Sequence, residues 1–137
     1  MSYKDFTDMP VWQKALEVGE MVFLMTSELP KSEDYGLTSQ LRRASTSVPL
    51  NIAEGWGRGS NKSFANFLKI ARGSLFEVET ILEICFRLDY INNETINTLR
   101  NEIEQIGKMI NSFIKKLDNN NEVIDLVESG NPLKTNN

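Results

Sequence analysis

Six basic side chains within one short stretch are the residues of this sequence best suited to chemistry with a partner. Arg42, Arg43, Arg58, Lys62, Lys69 and Arg72 fall between Gln40 and Leu75, where Glu54 is the single acid. That stretch carries +5, while nine basic and eighteen acidic residues elsewhere give −9, on a chain of net charge −4. Both groups bind phosphate, Arg through a planar fork and Lys as a compact point charge. Lys62 and Lys69 are seven residues apart and share a helical face, with Arg72 about one turn further on. If the chain folds back near Gly57, Arg42 and Arg43 come to about the level of Arg72, and one hairpin carries all six. Three readings fit such a set. The first is a solvated surface whose members pair with Glu54, Glu77 or acids of a neighbouring subunit. The second is a patch that contacts RNA or DNA backbone in a salt-dependent way. The third is a docking surface for an acidic protein partner.

Other chemistry finds little support. The chain has no histidine, which excludes His-based triads, His general bases and the usual His-containing zinc or di-iron sites. Glu17 with Glu20, and Glu79 with Glu83, have helical spacing and could in principle share a metal; a solvated helix face is the plainer reading. Gly55, Gly57 and Gly59 precede a helical pattern, as glycines do in phosphate cradles. Their spacing matches neither G-x-x-x-x-G-K-[ST] nor a strand-coupled G-x-G-x-x-G, so they read as a helix–helix connector. Trp56, and after it Phe76, are the stacking candidates near the basic set, too few for sequence-specific reading of single strands. Trp56 suits a bundle-end plug better than a base platform. Cys85 is the only cysteine, so no internal disulfide is expected. We expect no enzyme, no cofactor and no metal.

The elements that must position these residues are helical. A first helix is predicted over 10–28, with Thr7 or Asp8 near its start and Pro10 in its first turn. Trp12, Ala15, Leu16, Gly19, Val22, Phe23 and Thr26 make its inner face. After the polar connector KSEDYG, a second helix runs over 37–54 with Leu37, Leu41, Ala44, Val48 and Ile52 inward. Pro49 should bend it, with the hydroxyls of Ser45, Thr46 and Ser47 bonding freed carbonyls. Asn51, at the edge of the apolar face, should find a buried polar partner. Ser60 caps a long third helix over 60–89, whose stripe Phe64, Ala71, Val78, Cys85 has companions Phe67, Ser74, Ile81 and Leu88. Leu68, Leu75, Leu82 and Phe86 widen one side and Ile70 the other. Such a helix is central in the monomer or also faces another subunit, and Gly73 suggests a close helix approach. Asn92 or Asn93 caps a fourth helix with an unbroken seam at Ile96, Leu99, Ile103, Ile106, Ile110, Phe113 and Leu117.

The fold class is therefore all-α, an up-down-up-down four-helix bundle over residues 1–118 with a flexible C-terminal tail over 119–137. Within the tail, Val123 to Val127 (VIDLV) could dock locally. At 137 residues one domain is expected. No apolar run spans a bilayer and the N-terminus has no signal-peptide core, so the expectation is a cytoplasmic protein without membrane contact.

Several blocks also resemble a known family. YGLTSQLRRA (Tyr35 to Ala44), NIAEGWGR (Asn51 to Arg58), FLKIARGSL (Phe67 to Leu75), Glu77-x-Glu79-Thr80 and DFTDMPVWQKA (Asp5 to Ala15) occur in order. They are similar to the four-helix-bundle proteins encoded in intervening sequences of bacterial 23S ribosomal RNA genes. The likeness runs from about Tyr3 to Leu117; Ser63 departs from it, standing where the family commonly has a capping Glu. The resemblance implies a cyclic homopentamer with a barrel-like outline. Similar accessory variability-determinant proteins of diversity-generating retroelements bind nucleic acid and a reverse transcriptase, and are more basic. The expected function is a non-enzymatic, oligomeric adaptor or scaffold that contacts RNA or a nucleic-acid-associated protein through the basic residues. The alternative is a purely structural homo-oligomer that binds no nucleic acid.

Overall fold

Among the described residues four long helices form the fold: α1 Pro10–Thr26, α2 Leu37–Gly57, α3 Asn61–Arg87 and α4 Asn93–Asp118. The structure is a computed structural model that describes residues 3–119, and no strand occurs among them. Short 3-10 turns at Phe6–Asp8 and Lys31–Glu33 lead into α1 and α2. α2 packs on α1 and α3, α4 packs on α3 and α1, and the diagonal pairs make no approach. This is the expected up-down-up-down bundle, closed around one core. The expected tail from residue 120 onward, with its VIDLV run, lies outside the described residues.

Local chemistry explains the helix ends. Where the sequence points to Thr7 or Asp8 as the start signal of α1, those residues form the 3-10 turn, and Asp5 Oδ1 accepts from the Phe6 amide at 2.8 Å. Met9 is fully buried at the N-cap of α1, with Pro10 in the first turn. Glu33 serves two elements: Oε1 accepts from the Leu37 amide at 3.2 Å, and Oε2 accepts from the Tyr90 hydroxyl at 3.0 Å. It thereby ties the α1–α2 connection to the α3–α4 turn. Ser60 Oγ accepts from the Ser63 amide at 3.1 Å and Asn92 Oδ1 from the Thr95 amide at 2.8 Å, satisfying exposed donors at the starts of α3 and α4.

α2 corrects the sequence reading at its end. It runs through Gly55 to Gly57 instead of stopping near Glu54, and of the three glycines only Gly59 adopts positive φ, at 83°. Gly55 is needed for closeness: a Cβ there would lie 2.7 Å from Phe67 Cβ and 2.9 Å from Phe64 Cδ1. The close approach is thus at Gly55; around Gly73 an added Cβ meets nothing within 4 Å. α2 continues through buried Pro49. The Ser45 and Thr46 hydroxyls donate to the Arg42 carbonyl at 3.1 and 2.7 Å, and Asn51 Nδ2 donates to the Ser47 carbonyl at 2.8 Å. Across α2 and α3 the Ser47 and Ser74 hydroxyls pair at 2.8 Å.

The inner face of α1 keeps the predicted Ala15, Val22 and Thr26 but turns toward Val11 and Val18 and away from Leu16 and Phe23. Val11, Ala15, Val18, Val22 and Thr26 are buried, while Leu16 and Phe23 are exposed. The spacing 11, 15, 18, 22 keeps β-branched side chains inward and leaves the larger Phe23 at the rim. On α3, Ile70 and Leu88 lie outside the core, and Phe76 and Ile84 are exposed as well. α4 keeps its predicted seam, with Phe113 partly buried and Ile114 added.

Two pairs of variants test this packing by chemical denaturation. Gly55→Ala should cost about 1–3 kcal/mol through overpacking against Phe64 and Phe67. Gly73→Ala should gain about 0.5–1 kcal/mol, because an exposed helix interior favours Ala. Ile106→Asp should cost more than about 3 kcal/mol by burying an unpaired charge, whereas Glu104→Lys should change stability by less than about 0.5 kcal/mol. Glu102 is not equivalent to Glu104, because it pairs with Lys14 at 2.7 Å. Equal effects at positions 55 and 73 would contradict the geometry of the hairpin.

Candidate interaction surface of the second and third helices

The foot of the α2–α3 hairpin fixes the lower cations. Gly55 lets Phe67 and Phe64 against α2, and Trp56 closes the end edge-on to Phe64 at 6.2 Å between centroids. Trp56 is partly buried there, as a bundle-end plug would be. Arg58 pairs with Glu54 at 2.7 Å and lays its guanidinium over the Phe67 ring, 4.9 Å from the centroid. Lys62, in the first turn of α3, is exposed and makes no ion pair among the described residues.

The other four cations separate onto different flanks. Arg42 turns toward α1, where Nε donates to Thr26 Oγ1 at 2.8 Å and Nη2 to the Phe23 carbonyl at 3.3 Å. Its guanidinium sits 4.7 Å from the centre of the Phe23 ring. It therefore braces the last turn of α1, adding a donor to a carbonyl that already accepts from the Ser27 amide at 3.3 Å. Arg43 is exposed on the outer face of α2 and donates to Ser39 Oγ at 2.8 Å. Lys69 and Arg72 turn the opposite way, toward α4: Lys69 lies 4.0 Å from Asp118, and Arg72 donates to Asn111 Oδ1 at 2.9 Å. The hairpin carries all six residues, yet Arg42 and Arg72 reach into seams on its two sides.

Sequence reasoning missed the apolar company of Arg42 and Arg43. Phe23 and Leu50 flank them, and with Thr46, Ser47 and Asn51 they line a shallow groove of about 400 Å³. Leu50 is 62% exposed, a high value for so large an apolar side chain. Its outward position was legible, since Leu50 falls opposite Leu41, Val48 and Ile52 in the α2 pattern. Phe23 was hidden by the wrong phase assigned to α1. A second groove, of about 570 Å³, lies between α3 and α4 against Phe76, Thr80, Ile84 and Arg100. Glu83 there receives Arg87 at 2.9 Å and Arg100 from α4. The hydrogen bond from Arg87, followed by the charges of Arg100 and Arg87, holds the Glu83 carboxyl below its ordinary range against its partial desolvation. Among the described residues no group of three Cys, Asp or Glu side chains converges as metal ligands. Cys85 is fully buried, and burial followed by the Glu33 charge pushes its thiol pKa up, away from the reactive thiolate.

Comparison with known proteins agrees with this fold. A family model described as 23S rRNA-intervening sequence protein matches residues 7–112. A solved structure with the same fold is a protein of unknown function from the S23 ribosomal protein family of Bacteroides thetaiotaomicron VPI-5482. It is 30% identical, with a TM-score of 0.71, over 77% of this chain and 95% of that one. No curated protein gives a significant match.

The lowered Glu83 pKa has a sign that can be measured. Its ion pairs stabilise the fold above the ordinary carboxyl value of 4.5, and that contribution is lost as pH falls below it and the group protonates. Thermal melts of the native chain and Glu83→Gln should therefore differ at pH 7 and converge as the pH falls below the ordinary carboxyl value and Glu83 protonates. A difference that grew on acidification would reverse the assignment.

Proposed function

The chain belongs to the 23S rRNA-intervening sequence protein family, and we propose that it is a non-enzymatic oligomeric scaffold that contacts RNA backbone through the unpaired cations of its α2–α3 hairpin. The observation that carries this reading is electrostatic. On a chain of net charge −4, Arg42, Arg43, Lys62 and Arg72 make no ion pair with a carboxylate among the described residues. Arg43 and Lys62 are exposed as well, so phosphate can reach them without displacing a carboxylate. Contacts of this kind are independent of sequence and weaken with salt.

Self-association supplies the scaffold. The outer face of α3 leaves Phe76 62% and Ile84 41% exposed on one stripe with open Gly73. A second copy would cover that stripe, and a closed ring, of five subunits as the family resemblance implies, would leave no sticky edge. Repeating one weak phosphate site around a ring raises avidity without new contacts. The purely structural reading keeps one observation in its favour: Arg58 and Lys69 already have acidic partners within the chain. The proposal takes the protein to be cytoplasmic; no helix among the described residues is long and apolar enough to cross a membrane.

Light scattering coupled to size exclusion at micromolar protein tests the assembly, and a monomer mass throughout would overturn it. Binding is tested by titrating structured RNA, duplex DNA and single strands at low and physiological salt. The charge reversal should use Arg43→Glu with Lys62→Glu, because Arg42 also holds α1. That double variant should keep its oligomer mass and lower the salt slope of binding by about two. No binding at low salt would leave the structural reading standing.

A further inference from the structure

The large apolar side chains left in solvent are not spread evenly over the bundle. Among the described residues α1 exposes Leu16, Phe23 and Leu24, α3 exposes four more, and α4 exposes none. α1 and α3 lie on a diagonal of the bundle and make no approach to each other, so their outer faces point apart. On the outermost line of α1, exposed Glu17 and Glu20 lead to Leu24, which is 74% exposed. On the outermost line of α3, exposed Lys69 and open Gly73 lead to Phe76. Glu17 and Leu24 are seven residues apart, as are Lys69 and Phe76, so each pair spans two turns, about 10 Å. Glu17 and Glu20 make no ion pair with a cation among the described residues, and Lys69 reaches Asp118 only at 4.0 Å.

Resting on the oligomeric reading above, which gives the α3 stripe to a second copy, we propose that the outer face of α1 is what covers it. The two helices run parallel, with Leu24 of one copy on Phe76 of the next and Glu17 at Lys69. Direction follows from the fold: in an up-down-up-down bundle α1 and α3 point the same way, and rotation about an axis along the bundle keeps them so. Reversing α1 would place Leu24 on Lys69 and Glu17 on Phe76, which loses both matches. Pairing α1 with α1 would set Glu17 and Glu20 against the same acids, and like charges across an interface are penalised. The contact is heterologous. Each copy offers α1 to one neighbour and α3 to the other, so a closed ring leaves neither face in solvent. Arg43, on α2, lies outside the contact.

The test uses the full chain, whose own Cys85 is fully buried and serves as the blank. Oxidised under mild conditions, Leu24→Cys with Phe76→Cys should build a ladder of covalent oligomers, since α1 and α3 of one chain do not meet. The ladder should form about tenfold faster than with either cysteine alone, or with Glu17→Cys and Phe76→Cys, the pair that a reversed α1 would join. Charge gives a second readout. Glu17→Lys and Lys69→Glu should each raise, about tenfold, the protein concentration at which light scattering shows half dissociation. The two reversals together should restore the native value, and a rescue between helices that do not touch within one chain arises only between copies. No rescue, or an equally fast ladder from the Glu17 pair, would overturn the contact while an oligomeric native mass keeps the scaffold reading. Phe76→Cys alone cross-linking as fast as the pair would mean that α3 meets α3, and overturns it too. A native chain that is monomeric throughout would remove both.

Discussion

The closeness of α2 and α3 at Gly55 is the constraint on which the rest depends. Any Cβ at that point would collide with Phe67 Cβ, so the two helices could not meet along the line they follow. Once they do, the antiparallel register follows: Ser47 faces Ser74, and Phe64 reaches through to Phe113 of α4 at 5.4 Å between ring centroids. Interiors pack at close to crystalline density, so a shift of one methyl group at this foot would propagate up both helices. The remaining helices close the square around that hairpin, α1 against α2 and α4 against α3.

The same register decides what becomes of the charge. Cations whose positions turn into a seam are taken up by the protein: Arg42 closes the end of α1, Arg72 binds Asn111, and Lys69 approaches Asp118. Cations that point outward, Arg43 and Lys62, make no ion pair with a carboxylate among the described residues. Arg42 belongs to both groups, since it donates to Phe23 and Thr26 yet pairs with no carboxylate among the described residues. Its loss would therefore disturb α1 packing and groove charge together, and no single substitution there separates structure from binding.

Much of this was legible before the coordinates. The α4 seam needed only a heptad count, because each inward position is Ile, Leu or Phe and, apart from Gly107, Met109 and Ile114, the intervening residues are polar. Ser60 and Asn92 announced their helices through oxygens that cap free amides. The errors have equally physical causes. α1 contains two apolar stripes one residue apart, 11-15-18-22 and 12-16-19-23, and only tertiary contact with α2 and α4 selects between them. Glycine was misread twice: composition cannot distinguish Gly55, required by a neighbour, from Gly73, which touches nothing. The six cations were found by counting charges; their dispersal onto separate flanks required side-chain partners up to 39 residues away in sequence.

The two surface grooves share no residue and differ in kind. Between α3 and α4, Glu83 pairs with Arg87 and Arg100 and Glu79 balances the remaining charge of that groove, so its exposed apolar side chains, Phe76 and Ile84, set its character more than net charge does. On α2, Arg42 and Arg43 make no ion pair with a carboxylate among the described residues and lie beside Phe23 and Leu50, so that groove combines charge, which salt screens, with apolar surface. Carboxylate and phosphate are both recognised by the same guanidinium forks, and which one wins depends on local concentration.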